Sequence, residues 1–187
     1  MVKIAIWCRH ENDNIIGIGP HIPWHVSSDF KRFKRITLNK TLLVGQTTYE
    51  SFPNRTLPNR KIYVLTFDKN YQVSDSAHHK VINLEDVKHI TDELYIAGGA
   101  SIYKLMMEQL EPDFVVDSVY KKPLVSNLTG TPVDITPAIT ILKQHYEKMT
   151  RDFSLDDIDT AIWVKKGVRP DAKTFVHLQN AIYSDKG

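Results

Sequence analysis

Thr41-Leu42-Leu43-Val44-Gly45-Gln46-Thr47-Thr48-Tyr49-Glu50-Ser51 is a short apolar run that stops on a glycine and passes at once into a helix-like stretch. Apolar residues in unbroken succession suit a central strand covered on both faces. Leu94-Tyr95-Ile96-Ala97-Gly98-Gly99-Ala100-Ser101 repeats the arrangement ahead of a helical stretch over Ser101–Leu110. Strands alternating with helices at this spacing imply βαβ units. The expected fold is α/β: a single domain with a mainly parallel central sheet and flanking helices.

Working outward, Ile4–Trp7, Lys61–Thr66 and Phe114–Val119 read as further strands. Ser28–Ile36 reads as a helix, with Phe30, Phe33 and Ile36 among lysines and arginines and Ser27 or Ser28 as a cap. Leu84–Ile90 reads as a short helix. Residues 120–140 hold Pro123, Gly130, Pro132 and Pro137 and read mostly as loop. Ile139–Met149 and Thr160–Lys166 read as late strands. Residues 1–166 make up the expected domain. Residues 167–187 form a polar extension with scattered aromatics, compatible with a helix or with an unstructured tail.

A chain of 187 residues suits one domain that needs no staple. Its single cysteine, Cys8, cannot form an internal disulfide, which fits a reducing compartment. Ile4–Trp7 is too short an apolar run for a signal segment or a membrane span. A soluble, cytoplasmic, monomeric protein is expected. Lys+Arg 24 against Asp+Glu 22 is too balanced to suggest a nucleic-acid partner. The local exception is Lys31-Arg32, Lys34-Arg35 and Lys40, either a solvated helix face or a positive rim that attracts an anion. No metal site is expected, because His78-His79 and His21 with His25 lack companion ligands at suitable spacing.

The two strand–glycine–helix junctions bring helix N-termini to the carboxyl ends of strands, where a phosphate can approach the backbone. Two of them suit a ligand with two phosphates, although a glycine after a strand is more often a plain tight turn. Neither is the G-x-G-x-x-G fingerprint. Asp29 and Phe33 stand at i and i+4 and share a helix face. On spacing alone, the reading of Asp29 as an ordinary acidic first-turn residue is the favoured one.

The ordered set of motifs is more specific than any one of them. Ile15-Ile16-Gly17, Pro23-Trp24, Asp29, Phe33 and Lys34, then Thr37-Leu38-Asn39-Lys40, resemble the first signature of the dihydrofolate reductase family. Gly45–Ser51, Leu57-Pro58-Asn59-Arg60-Lys61 with Val64-Leu65-Thr66, and Ile96-Ala97-Gly98-Gly99-Ala100-Ser101-Ile102-Tyr103 resemble its later segments. The resemblance runs from residue 4 to about residue 120 and is thin beyond. It implies an antiparallel C-terminal strand added to the mainly parallel sheet, and reduction of 7,8-dihydrofolate to tetrahydrofolate with NADPH. Asp29 is then the active-site acid that anchors the pterin, and Trp24 and Ile22 shape the pocket around it. Ile4, Ala5, Phe33, Phe52, Leu57, Ala97 and Tyr103 are implied in substrate binding, with Arg60 clamping the glutamate carboxylate. The implied cofactor-binding residues are Ile6, Ile16, Gly17, Ile22, Gly45, Gln46, Thr47, Thr48, Thr66, Phe67, Gly98, Gly99, Ala100, Ser101 and Ile102. A cis bond between Gly98 and Gly99 is implied as well.

Two positions depart from the family pattern. Gln46 stands where a cation usually grips the 2′-phosphate of NADPH, with Lys61 or Lys69 as substitutes. Asp117 stands where a threonine beside the acid is expected, which would crowd two carboxylates and raise one pKa. With the alignment shifted by one, Val116 or Ser118 faces the site instead. The rival readings are a same-fold reductase of riboflavin biosynthesis and a non-catalytic RNA-binding module built on Lys31–Lys40.

Overall fold

The computed structural model describes residues 1–74 and 78–184. Its strands are β1 (Val2–His10), β2 (Ile15–Ile18), β3 (Thr41–Gly45), β4 (Lys61–Leu65), β5 (His79–Val81), β6 (Glu93–Ile96), β7 (Phe114–Tyr120), β8 (Pro132–Asp134), β9 (Tyr146–Lys148), β10 (Phe153–Leu155) and β11 (Ile158–Lys165). Its helices are α1 (Ser27–Thr37), α2 (Gln46–Ser51), α3 (Ala100–Gln109), α4 (Thr136–His145) and α5 (Ala172–Tyr183). Strands run in the order β10-β11-β7-β1-β6-β3-β4-β5, with β9 also paired to β11. Pairings from β7 through β5 are parallel, and β11 is antiparallel to β7.

The apolar runs explain this order. Ile4, Leu42, Leu43, Val44, Ile62, Val64, Leu94, Tyr95 and Ile96 are all fully buried, as strands covered on both faces require. One face packs under α3 and α4 through Trp7, Leu43, Ile96, Met106, Ile139 and Leu142. The other packs under α1 and α5 through Ile4, Tyr95, Phe114, Ile36, Leu178 and Ile182.

Four expectations need correction. Helix α4 occupies residues expected to be loop and late strand, and strand begins only at Tyr146. The stripe Ile135, Ala138, Ile139 and Leu142 is buried at helical spacing, and Pro137 sits in the first turn, where its missing N–H costs nothing. Residues 84–87 form a 3-10 turn capped by Asn83 rather than a helix reaching Ile90. Neither Ser27 nor Ser28 caps α1, whose preceding residue is Val26. Ile15–Ile18 is a strand, paired with β8 from within the stretch expected to be loop.

The 167–187 extension contains α5. Asp171 caps it by accepting from the Thr174 N–H at 2.9 Å. Leu178 and Ile182 are fully buried, and Arg35 Nε donates to the Ala181 carbonyl at 3.0 Å.

The ribbon β2–β8 depends on a close backbone approach. At Gly130, φ is +133°, and a Cβ there would meet the Gly19 Cα at 2.9 Å. Gly130→Ala therefore costs about 1–3 kcal/mol from strain and overpacking. Faster amide hydrogen exchange in residues 15–18 and 133–134 checks this; unchanged protection there would contradict it.

Candidate active site

The site lies where neighbouring strands part. β1 and β6 remain paired to Ala5↔Ile96, after which these two part, while β6 stays joined to β3 through the Ala97 N–H, which donates to the Leu43 carbonyl at 3.0 Å. The crossover containing α1 covers one face and the crossover containing α3 the other, so a crevice opens at the carboxyl ends of the strands. Gly98–Gly99 is a cis peptide, and the Gly98 carbonyl accepts from the Gly45 N–H at 2.8 Å. The crevice holds a cavity of about 510 Å³, large enough for an organic ligand.

Ile6, Trp7, Phe33, Phe52, Leu57, Ala97 and Val116 make most of its wall apolar. Among the described residues of the wall, Asp29 and Arg32 carry charge. The Asp29 side chain keeps 21% of its surface accessible, through the cavity. Burial pushes its pKa up to about 6, and the Arg32 guanidinium holds it from rising further. Burial, followed by the charges of Asp29 and Asp117, raises the Cys8 thiol well above its ordinary value. Burial likewise raises Tyr103, whose hydroxyl donates to the Ile6 carbonyl at 2.6 Å. Trp24 is buried and stacks on Tyr120 at 5.1 Å, while Ile22 is half exposed at the mouth.

A dihydrofolate reductase family profile matches residues 3–126. The chain belongs to the dihydrofolate reductase family. A dihydrofolate reductase of Staphylococcus aureus (strain Mu50 / ATCC 700699) is 29% identical over 116 residues, 61% of this chain and 70% of that protein. Dihydrofolate reductase type 1 of Escherichia coli is 35% identical over 116 residues, 59% of this chain and 71% of that protein. In fold, the chain is similar to dihydrofolate reductase from Enterococcus faecalis complexed with NADP(H) and RAB-propyl. The TM-score is 0.69 at 23% identity, covering 88% of this chain and 96% of that one.

Within this reductase, Asp29, Trp24, Ile22, Phe33, Phe52, Leu57, Ala97, Tyr103, Ile6, Ile16, Thr48, Gly98 and Gly99 meet in the cavity wall. Ile4 and Ala5 do not. They sit in the two cores beneath the cavity, and the wall is built from Ile6, Trp7 and Cys8 instead. The implied position was about two residues, or about 7 Å of strand, too early.

Asp117 is also displaced. Its carboxylate accepts from Trp7 Nε1 at 2.7 Å and from Arg9 Nε and Nη2 at 2.9 and 3.0 Å. Because β7 pairs Val116 with Ile6 and Ser118 with Cys8, these two face the cavity and Asp117 faces the opposite side. The two carboxylates are not crowded together.

Gly17, Gly45, Gln46, Thr47, Thr66, Phe67, Ala100, Ser101 and Ile102 lie outside the cavity wall. The Thr66 hydroxyl donates to Gln46 Oε1 at 2.7 Å, and Gln46 Nε2 donates to Glu50 at 3.3 Å, so the Gln46 amide is held at the end of β4. Lys61 begins β4, four residues before Leu65 at its other end, too far to replace a cation at Gln46. Arg60 turns toward the end of α1, where Nε donates to the Pro58 carbonyl at 3.1 Å and Nη1 to Thr37 at 3.3 Å. Phe67 is 85% exposed.

Sequence reasoning missed Trp7, Cys8 and Arg32 as wall residues, and it gave Val116 and Ser118 as the alternatives to Asp117. Of the basic run, Lys31 and Lys34 are exposed, whereas Arg32 is 2% exposed and turned inward. It is therefore neither a uniformly solvated face nor a simple rim. The i, i+3 spacing of Asp29 and Arg32 was the available signal.

The residues present fit a dinucleotide. Helix α3 begins after Gly99 with no side-chain cap, leaving its first N–H groups without an intrahelical partner. A Cβ on Gly99 would stand 3.2 Å from Thr48 Oγ1, so the glycine keeps this floor open and close. Among the described residues, no helix is long and apolar enough to cross a membrane.

Proposed function

We propose that this enzyme reduces 7,8-dihydrofolate to 5,6,7,8-tetrahydrofolate with NADPH, and that Asp29 anchors the pterin. The observation that carries this is one carboxylate in an apolar cavity beside the two glycine junctions. Its oxygens accept the amino and ring N–H groups of the pterin, and Ile6, Phe33, Phe52 and Leu57 enclose the ring system. Gly98, Gly99 and the start of α3 hold the phosphates, with Thr48 beside them. Ile16 and Ile22 cover the nicotinamide end. When bound, the dinucleotide supplies the hydride. Trp24 shapes the pocket beside Asp29 and holds the water that delivers the proton. Arg60 is the partner for the glutamate carboxylate, outside the cavity wall. Ser118 takes the place that Asp117 was expected to fill beside the acid. The two rival readings gain nothing from the site: no feature of it calls for a ribosylated pyrimidine or for RNA.

The test is dihydrofolate-dependent loss of NADPH absorbance. NADPH is expected to serve better than NADH, and equal efficiency would refute that part. A pH dependence follows from Asp29. The Cys8 and Tyr103 groups stay protonated, so Asp29 is the acid of the wall that titrates in the working range. The reaction takes up one proton, which the carboxylate and the pterin seated on it share as a pair, so the proton is present in the complex below about 6 and is lost above it. kcat/KM therefore falls by about tenfold per pH unit above about 6. A flat profile from roughly pH 5 to 8 contradicts this role for Asp29.

A further inference from the structure

Helix α5 lies beyond residues 3–126, the segment that the family profile matches, and yet it seats the helix that bears Asp29. Leu178 and Ile182 are fully buried in one cluster with Ile36 of α1, and Phe33 packs against the same cluster. Phe33 and Ile36 are also wall residues, so α5 backs this side of the cavity. The two helices close each other's last turn as well. His177 Nε2 lies 2.8 Å from the Ile36 carbonyl, which can only accept, so the ring donates there. Arg35 Nε donates in turn to the Ala181 carbonyl at 3.0 Å.

The opposite end of α1 carries no side-chain cap, and Asp29 stands in that first turn. Ile36 is about 10 Å away along the helix axis. A tilt of about 6° at the anchored end therefore moves the acid by about 1 Å, enough to admit water to a carboxyl whose burial sets its proton affinity. The charged and titratable groups coupled to Asp29 are Arg32 on its own helix, Cys8 on β1 and Tyr103 on α3, while Asp117 of β7 faces away from the cavity. From α5, His177 reaches a backbone carbonyl at the far end of α1, so this helix acts on the acid through the seating of α1. We propose, on the pterin reading above, that Ile182 and His177 are positioning residues: by packing under α1 and closing its last turn, they hold the Asp29 carboxyl at its depth in the cavity wall.

The test follows that carboxyl directly, through its side-chain carbon-13 shift in the ligand-free protein, assigned by its loss in Asp29→Asn. In the wild type the titration centres near 6. Ile182→Ala lowers the midpoint to about 5, and His177→Ala lowers it by less, in the same direction. His177→Gln retains a donor for the Ile36 carbonyl and keeps the wild-type midpoint. Leu142→Ala opens a comparable cavity under α4, on the other face of the sheet, and leaves the midpoint where it is. The shift carries into turnover: in Ile182→Ala, kcat/KM at pH 7 falls about tenfold while its low-pH plateau changes by less than about threefold. Loss of folded protein would lower both alike. A midpoint unmoved in both Ile182→Ala and His177→Ala overturns the proposal, as does an equal move in Leu142→Ala. If Ile182→Ala does not fold, His177→Ala decides alone, because it leaves Leu178 and Ile182 in place. A wild type that does not oxidise NADPH with dihydrofolate sinks the pterin reading itself. That result is read from turnover and is distinct from a carboxyl titration that the α5 variants do not move.

Discussion

Asp29→Asn lowers kcat/KM for dihydrofolate by about a hundred- to a thousandfold and at the same time stabilises the fold. The activity loss follows from replacing a charged acceptor of two N–H groups with an amide that can accept only one. A charge-assisted hydrogen bond contributes about 1.5–3 kcal/mol, and a misdirected amide N–H adds a penalty. The gain in stability follows from the pH behaviour of the carboxyl. Burial raises its pKa from the ordinary 3.8 to about 6 in the folded protein. Below the ordinary value both states are protonated and no cost exists. As pH rises from there toward 6, the unfolded chain releases the proton more readily, and stability is lost across that window. Above about 6 the cost is constant, about 2 kcal/mol once the residual accessibility of the side chain is allowed for. The variant removes it, raising the melting temperature at pH 7 by about 4–8 °C. Melting curves at low and neutral pH decide the matter: the gain must vanish at low pH. A gain independent of pH would point to something other than the carboxyl charge.

Asp117→Asn has the opposite signature. It removes a charge bonded to Arg9 and to the Trp7 indole, with Arg9 8% and Asp117 4% exposed. Removing one member of a buried pair leaves the other charge uncompensated, at a cost of about 3–5 kcal/mol. Arg9 Nη1 also donates to Asn14 at 2.9 Å, and Asn14 precedes β2, so the connection over the cavity loosens as well. Urea unfolding is expected to show this loss. Dihydrofolate reduction by the folded fraction falls only severalfold, because Asp117 is not in the cavity wall. A variant as stable as wild type but inactive would mean that Asp117 serves the chemistry instead.

The contrast between the two aspartates shows how far the sequence could be read. Motif order singled out Asp29, Gly98 and Gly99, which meet in one cavity wall, because their placement depends on local backbone: a first-turn position and a strand that ends on glycines. The parallel sheet was legible for the same reason, since Leu42-Leu43-Val44 and Leu94-Tyr95-Ile96 are apolar at every residue. Helix α5 was legible in principle, with Thr174, Leu178, Ala181 and Ile182 all buried along one stripe. Polar residues between them concealed it. Helix α4 was misread because β-branched Ile139, Thr140 and Ile141 suit either state until a partner face is known.

The sequence by itself determined the alternation of strand and helix around the two glycine junctions, the junctions themselves and the acid at the head of α1, all of which follow from neighbours within a few residues. Only the tertiary structure decided which face of β7 meets the cavity, because a strand alternates its side chains and a shift of one residue reverses every assignment. It also decided that Arg32, between the exposed Lys31 and Lys34, lies inside beside Asp29. Burial of a charge depends on what packs over it, and here Thr160 and Phe153 come from strands more than a hundred residues away in the chain.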